Sequence, residues 1–101
     1  MDPPMICSLS DGELRERRTT ILESIRSQTV QIASLPNGYS YTFRGKPEVF
    51  LRLAHLIAVE RQSCRFLTFT IVAAAGIDDV VLEITGPAAA KSIIANFFGG
   101  A

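Results

Sequence analysis

The segment Leu53-Ala54-His55-Leu56-Ile57-Ala58-Val59-Glu60-Arg61-Gln62-Ser63-Cys64-Arg65-Phe66-Leu67-Thr68-Phe69 carries apolar residues at helical spacing up to Cys64 and at strand spacing beyond it. A helix therefore hands over to a strand at this cysteine, and a reactive side chain stands at the junction. Upstream, Pro47 suits a first helical turn, where its missing amide is harmless. Phe50, Leu53, Ala54, Ile57, Ala58 and Cys64 then trace a helix from Pro47 to about Cys64. Downstream, Phe66 to Val72 alternates Leu67, Phe69 and Ile71 against Thr68 and Thr70. Gly76-Ile77-Asp78-Asp79 makes a turn, and Val80, Leu82 and Ile84 alternate against Val81, Glu83 and Thr85, which completes a β-hairpin.

The same grammar appears earlier in the chain. Thr29 to Leu35 and Tyr39 to Arg44 alternate with period two, placing Val30 and Ile32 on one face and Tyr39, Tyr41 and Phe43 on another. Between them Pro36-Asn37-Gly38 is a turn signal, with Gly38 free to take positive φ. Ser10-Asp11-Gly12-Glu13 has the capping-box arrangement, so a first helix starts near Asp11. Leu14, Ile21, Leu22 and Ile25 form its apolar side, and Arg15, Glu16, Arg18, Glu23 and Arg26 a solvated one. Gly86-Pro87 starts the last helix, whose Ile93, Ile94, Phe97 and Phe98 are buried before Gly99-Gly100.

The expected fold is α+β: an N-terminal helix, then two hairpin-helix units, giving a four-stranded, mainly antiparallel sheet with helices packed on one face. Arg44-Gly45-Lys46-Pro47 in the first unit corresponds to Thr85-Gly86-Pro87 in the second, which suggests an internal duplication. The other face of the sheet would carry Ser40, Thr42, Phe66, Thr68, Thr70, Val72, Val81 and Glu83. Exposure of Phe66, Val72 and Val81 there, or of an edge strand, would favour a homo-oligomer.

The 101 residues form one domain, with residues 1–9 as an N-terminal extension. Ten Lys and Arg offset ten Asp and Glu, so no electrostatic footprint for nucleic acid is expected. The longest apolar run, Ile71 to Ile77, is far short of a membrane span, and Met1-Asp2-Pro3-Pro4 does not open a signal peptide. Two cysteines, Cys7 and Cys64, are too few for a stapled secreted framework. These features point to a cytoplasmic protein with reduced thiols and no membrane partner, and they identify no partner protein.

Chemistry has few places to reside. Glu60 and Cys64 are four apart on a helix and share a face, and a thiolate with a carboxylate can ligate zinc or a softer metal such as mercury. Cys7 is the one other thiol that could join them. The helix C-terminus raises the pKa of Cys64 while Arg61 and Arg65 lower it, so the sign of its shift stays open. The alternative is that both cysteines are small apolar fillers. His55 is five residues from Glu60, roughly 140° around the helix, and does not share that face. Gly86-Pro87-Ala88 reads as helix initiation before anion binding, and Tyr39, Tyr41 and Phe43 as core before a stacking platform. No nucleophile-base pair can be assembled, which places an enzyme behind a thiol-based binding protein and behind a non-catalytic interaction module.

Four segments carry a resemblance: Cys7-Ser8-Leu9-Ser10 leading to Glu13-Leu14-x-x-Arg17-Arg18; Leu35-Pro36-Asn37-Gly38-Tyr39; Glu60-Arg61-x-x-Cys64-x-Phe66-Leu67-x-Phe69; and Leu82-x-Ile84-Thr85-Gly86-Pro87 with Lys91. Together they resemble a family of small, mostly uncharacterised bacterial proteins, some associated with mercury-resistance-type regulators. That family has adjacent cysteines followed by Pro-Phe at the helix-strand junction. Here Ser63 stands at the first cysteine and Arg65 at the proline. The resemblance implies a soft-metal site reduced to Cys7 and Cys64, with Glu60 or Ser63 supplying oxygen.

Overall fold

The computed structural model describes residues 12–100. Its elements run α1 (Gly12–Gln28), β1 (Thr29–Leu35), β2 (Gly38–Arg44), α2 (Pro47–Ser63), β3 (Thr68–Val72), β4 (Asp79–Thr85) and α3 (Ala90–Phe98). The sheet is antiparallel throughout, in the order β1-β2-β4-β3. Each hairpin thus places its second strand at the centre, as two repeated units laid side by side would. The expected α+β architecture is the one observed. The capping residues Ser10 and Asp11, and Cys7, lie outside the described residues. Among the described residues, no helix is long and apolar enough to cross a membrane.

The core fills one face of the sheet. Tyr41, Phe43, Val80, Leu82 and Ile84 project from the two central strands onto Leu22 and Ile25 of α1, Leu53 and Leu56 of α2, and Ile94 and Phe98 of α3. The opposite face shows Ser40, Thr42, Val81 and Glu83 half-buried and Thr68, Thr70 and Val72 exposed. This is the one-sided burial expected of an antiparallel sheet with helices on one face.

Four details depart from the periodicity, each for a physical reason. Val30 is 53% exposed instead of pairing inward with Ile32, because the β1–β2 register shifts between Thr29 and Gln31 and leaves it as the bulged residue. Phe66 is buried and lies before β3. The amide of Leu67 donates to Cys64 O at 3.1 Å, and the resulting turn delays the strand by two residues and sends the ring into the core. The inward face of α2 is Val49, Leu53, Leu56, Val59, Glu60 and Ser63; Phe50, Ala54 and Ala58 are exposed. Finally, regular α3 begins at Ala90, after a turn closed by its own amide donating to Pro87 O at 2.8 Å.

Two glycines are required by close approach. Gly38 does not adopt positive φ. A Cβ there would lie 1.9 Å from Ile84 O, and one on Gly45 would lie 2.1 Å from Asp78 O. Both contacts are with the backbone of the β4 hairpin, so the absence of a side chain is what lets the two units join.

Both ends of α3 are tied down by polar groups. Tyr41 Oη donates to Gly99 O at 2.7 Å, and Arg26 of α1 donates to Phe97 O. Lys91 Nζ donates to Ser34 Oγ at 2.5 Å and Leu35 O at 2.7 Å, and lies 5.1 Å from the centre of the Tyr39 ring. Burial, and then the neighbouring Tyr39, push the Tyr41 phenol well above its ordinary 10.0, against a smaller opposing pull from Arg26. Raising an acid's pKa on folding makes its contribution to stability complete below pH 10.0 and lost progressively as pH rises above that value. In urea titrations Tyr41→Phe is therefore expected to cost about 1 kcal/mol at neutral pH and to flatten the fall in stability above pH 10. An unchanged alkaline slope would show that Tyr41 does not contribute to it.

Candidate functional site

α2 ends where the chain must turn into β3. Its last amide, that of Cys64, donates to Glu60 O at 2.7 Å, and Cys64 leaves helical geometry at φ −117°, ψ 74°. Four-residue spacing brings the side chains of Glu60 and Cys64 together beneath this end, as expected: Cys64 Sγ lies 3.5 Å from Glu60 Oε2. Ser63 joins them. Its hydroxyl lies 3.3 Å from Glu60 Oε2, 3.4 Å from Glu60 O and 3.8 Å from Cys64 Sγ. Its single proton can serve one of these acceptors at a time or be shared between the two oxygens.

All three groups are out of water. Glu60 and Cys64 are 0% exposed and Ser63 is 4% exposed. A carboxylate so buried needs a proton, a cation or hydrogen-bond donors to offset its lost hydration. The Ser63 hydroxyl is one such donor. Arg61 and Arg65, expected to bear on the thiol, are both exposed. No described cysteine is free: Cys64 is disulfide-bonded. A disulfide sulfur has no proton to donate, so in this state the 3.5 Å approach to Glu60 is a sulfur–oxygen contact. On reduction the same geometry allows the thiol to donate to the carboxylate. The one other cysteine of the chain is Cys7, outside the described residues. Sequence composition suggests reduced thiols, whereas the structure holds Cys64 oxidised. The redox environment decides between these states.

No family model, curated protein or solved structure matches this chain. The site must be read from its own chemistry. Among the described residues no three His, Cys, Asp or Glu side chains gather as metal ligands. Glu60 and Cys64 are the ligand-type pair brought together at this junction among the described residues, and Cys7 lies outside them. His55 is exposed, apart from the buried Glu60 and Cys64. Gly86 donates its amide to Asn37 O at 3.1 Å, which commits that group to the sheet and not to an anion. Tyr41 and Phe43 are core residues and Tyr39 packs against them, so they form no exposed stacking platform.

Two features of the site were hidden in the sequence. Ser63 reads as a lost cysteine position, yet it is the hydroxyl that hydrogen-bonds the carboxylate. Complete burial of Glu60 was hidden because its charge breaks the apolar pattern. The signal lay in Val49, Leu53 and Leu56, which extrapolate along one face to Glu60 at spacings of four, three and four.

Proposed function

We propose that the buried end of α2 is a thiol site that binds a soft metal ion, such as zinc or mercury(II), when reduced, with Cys64 and Cys7 as the sulfur ligands and Glu60 as the adjacent carboxylate. The observation that carries this reading is the disulfide state of Cys64 next to a wholly buried glutamate. Cys7 is the one other cysteine of the sequence, and a soft metal shared between two sulfurs requires them within roughly 4 Å of each other. The resemblance to bacterial proteins associated with mercury-resistance regulators agrees with a soft metal. The protein would then be a small cytoplasmic binding accessory without catalytic activity.

The chemistry balances simply. Reduction of the disulfide takes up two electrons and two protons from a dithiol donor and yields two thiols. Binding of a divalent soft metal replaces those two protons with two metal–sulfur bonds and releases the protons to solvent, so affinity rises with pH. Glu60 Oε2, 3.5 Å from Cys64 Sγ, supplies an oxygen beside the sulfurs. That oxygen suits zinc better than a purely thiophilic ion.

Thermal unfolding of pre-reduced protein tests the reading. Metal at about one hundred times its dissociation constant should add about 2.7 kcal/mol to the stability of the wild type. For a chain of this size that is roughly 10 °C or more in Tm. Cys64→Ser should melt at the same temperature with and without metal. A wild type that does not respond, or a variant that responds equally, would assign Cys64 to packing and leave an interaction module as the better account.

A further inference from the structure

We propose that β3 is the contact surface for a second copy of this chain, the two β3 strands pairing antiparallel across a two-fold axis to join two four-stranded sheets into one of eight strands. The inference is independent of the thiol chemistry.

The two edges of the sheet are treated differently. Along β1, the register shift between Thr29 and Gln31 interrupts the edge with a bulge, and Lys91 occupies Ser34 Oγ and Leu35 O at the other end. Bulges and lysines are the devices by which natural edge strands avoid pairing with another chain. β3 has neither. Thr68 to Val72 pairs residue for residue with β4 without a shift, and Thr68-Phe69-Thr70-Ile71-Val72 contains no proline and no charge. Among the described residues no strand lies on its outer side. Ile71 and Val72 remain 38% and 47% exposed, and the exposed apolar surface continues through Ala73-Ala74-Ala75 to Ile77. Apolar exposure therefore coincides with the unprotected edge.

The strand's own pattern selects a second copy as the occupant. Antiparallel pairing about Thr70 sets Phe69 opposite Ile71 of the mate on the helix-side face, and Thr68 opposite Val72 on the open face. Both are favourable cross-strand combinations. In a two-fold contact any charge near the axis meets its own copy, so an uncharged strand is what self-pairing needs. The nearest acidic residue on the open face is Glu83, beside Thr70 on β4. Its counterpart would be three strand spacings away, about 14 Å, beyond the screening length at physiological salt.

Light scattering on the eluting full chain, at tens of micromolar, should give the mass of two chains for wild type. Thr70→Lys, which brings two ammonium groups together at the axis, should raise the dimer dissociation constant at least tenfold. Ala33→Lys, exposed on the β1 edge, should leave it unchanged. Hydrogen exchange on the wild type supplies a readout that needs no variant: amide protection across residues 68–72 should increase with protein concentration through the dimerisation range. A single-chain mass for wild type, a Thr70→Lys protein as dimeric as wild type, or β3 protection independent of concentration would each overturn the proposal.

Discussion

Gly38→Ala is expected to lower the stability of the domain by about 3 kcal/mol or more, a large share of the roughly 5–15 kcal/mol that holds a domain of this kind together. The new Cβ would lie 1.9 Å from Ile84 O and 2.9 Å from Thr85 Cα. These are backbone atoms of β4, so no rotamer change can make room. Relief requires β2 and β4 to separate where Gly38 pairs with Thr85, and those two strands carry Tyr41, Phe43, Val80, Leu82 and Ile84 into the core. The adjacent hydrogen bond from Gly86 N to Asn37 O would be strained as well. Urea unfolding followed by circular dichroism checks the expectation; a midpoint within error of wild type would show that the junction between the two hairpins is not as tight as described.

Reduction of the disulfide is expected to lower stability by up to about 4 kcal/mol, if the bond closes the loop of nearly sixty residues between Cys7 and Cys64. The effect arises in the unfolded chain, which gains conformational freedom when the cross-link is cut. Cys64→Ser should show no dependence on reductant, and its stability should match that of reduced wild type apart from the exchange of sulfur for oxygen in a fully buried position. The measurement is the denaturation midpoint with and without a dithiol reductant for both proteins. Equal midpoints for oxidised and reduced wild type would mean that the cross-link does not constrain the chain.

The sequence made the elements legible because turn chemistry and period reinforce one another. Pro36-Asn37-Gly38 and Gly76-Ile77-Asp78-Asp79 each separate alternating runs, and Pro47 starts a helix where the period changes. The departures from periodicity arise from tertiary contacts. A bulge turned Val30 outward, and a turn at Cys64 sent Phe66 into the core. α2 carries apolar residues around much of its circumference, so periodicity alone chose Phe50, Ala54 and Ala58 in place of Val49, Leu56 and Val59. Gly38 signalled a turn, but the structure requires it for proximity to β4, a contact between residues far apart in the chain. At the site, four-residue spacing was enough to bring Glu60 to Cys64. The burial of Glu60 and the hydrogen bond from Ser63 depend on which side of α2 meets the core.

If reduced Cys64 and Cys7 hold one soft metal ion between them, mercury(II) bound to the chain has both of its sulfur ligands from the protein. Native mass spectrometry of the pre-reduced chain with one equivalent of mercury(II) and a small monothiol reads this out, because an ion held by one protein sulfur takes the monothiol as its second ligand and carries its mass. Wild type is expected as a single adduct, one mercury heavier with no monothiol attached, and Cys64→Ser as an adduct of mercury plus one monothiol. An unchanged mass for wild type, or a wild-type adduct that carries the monothiol, would mean that the two sulfurs do not share the ion.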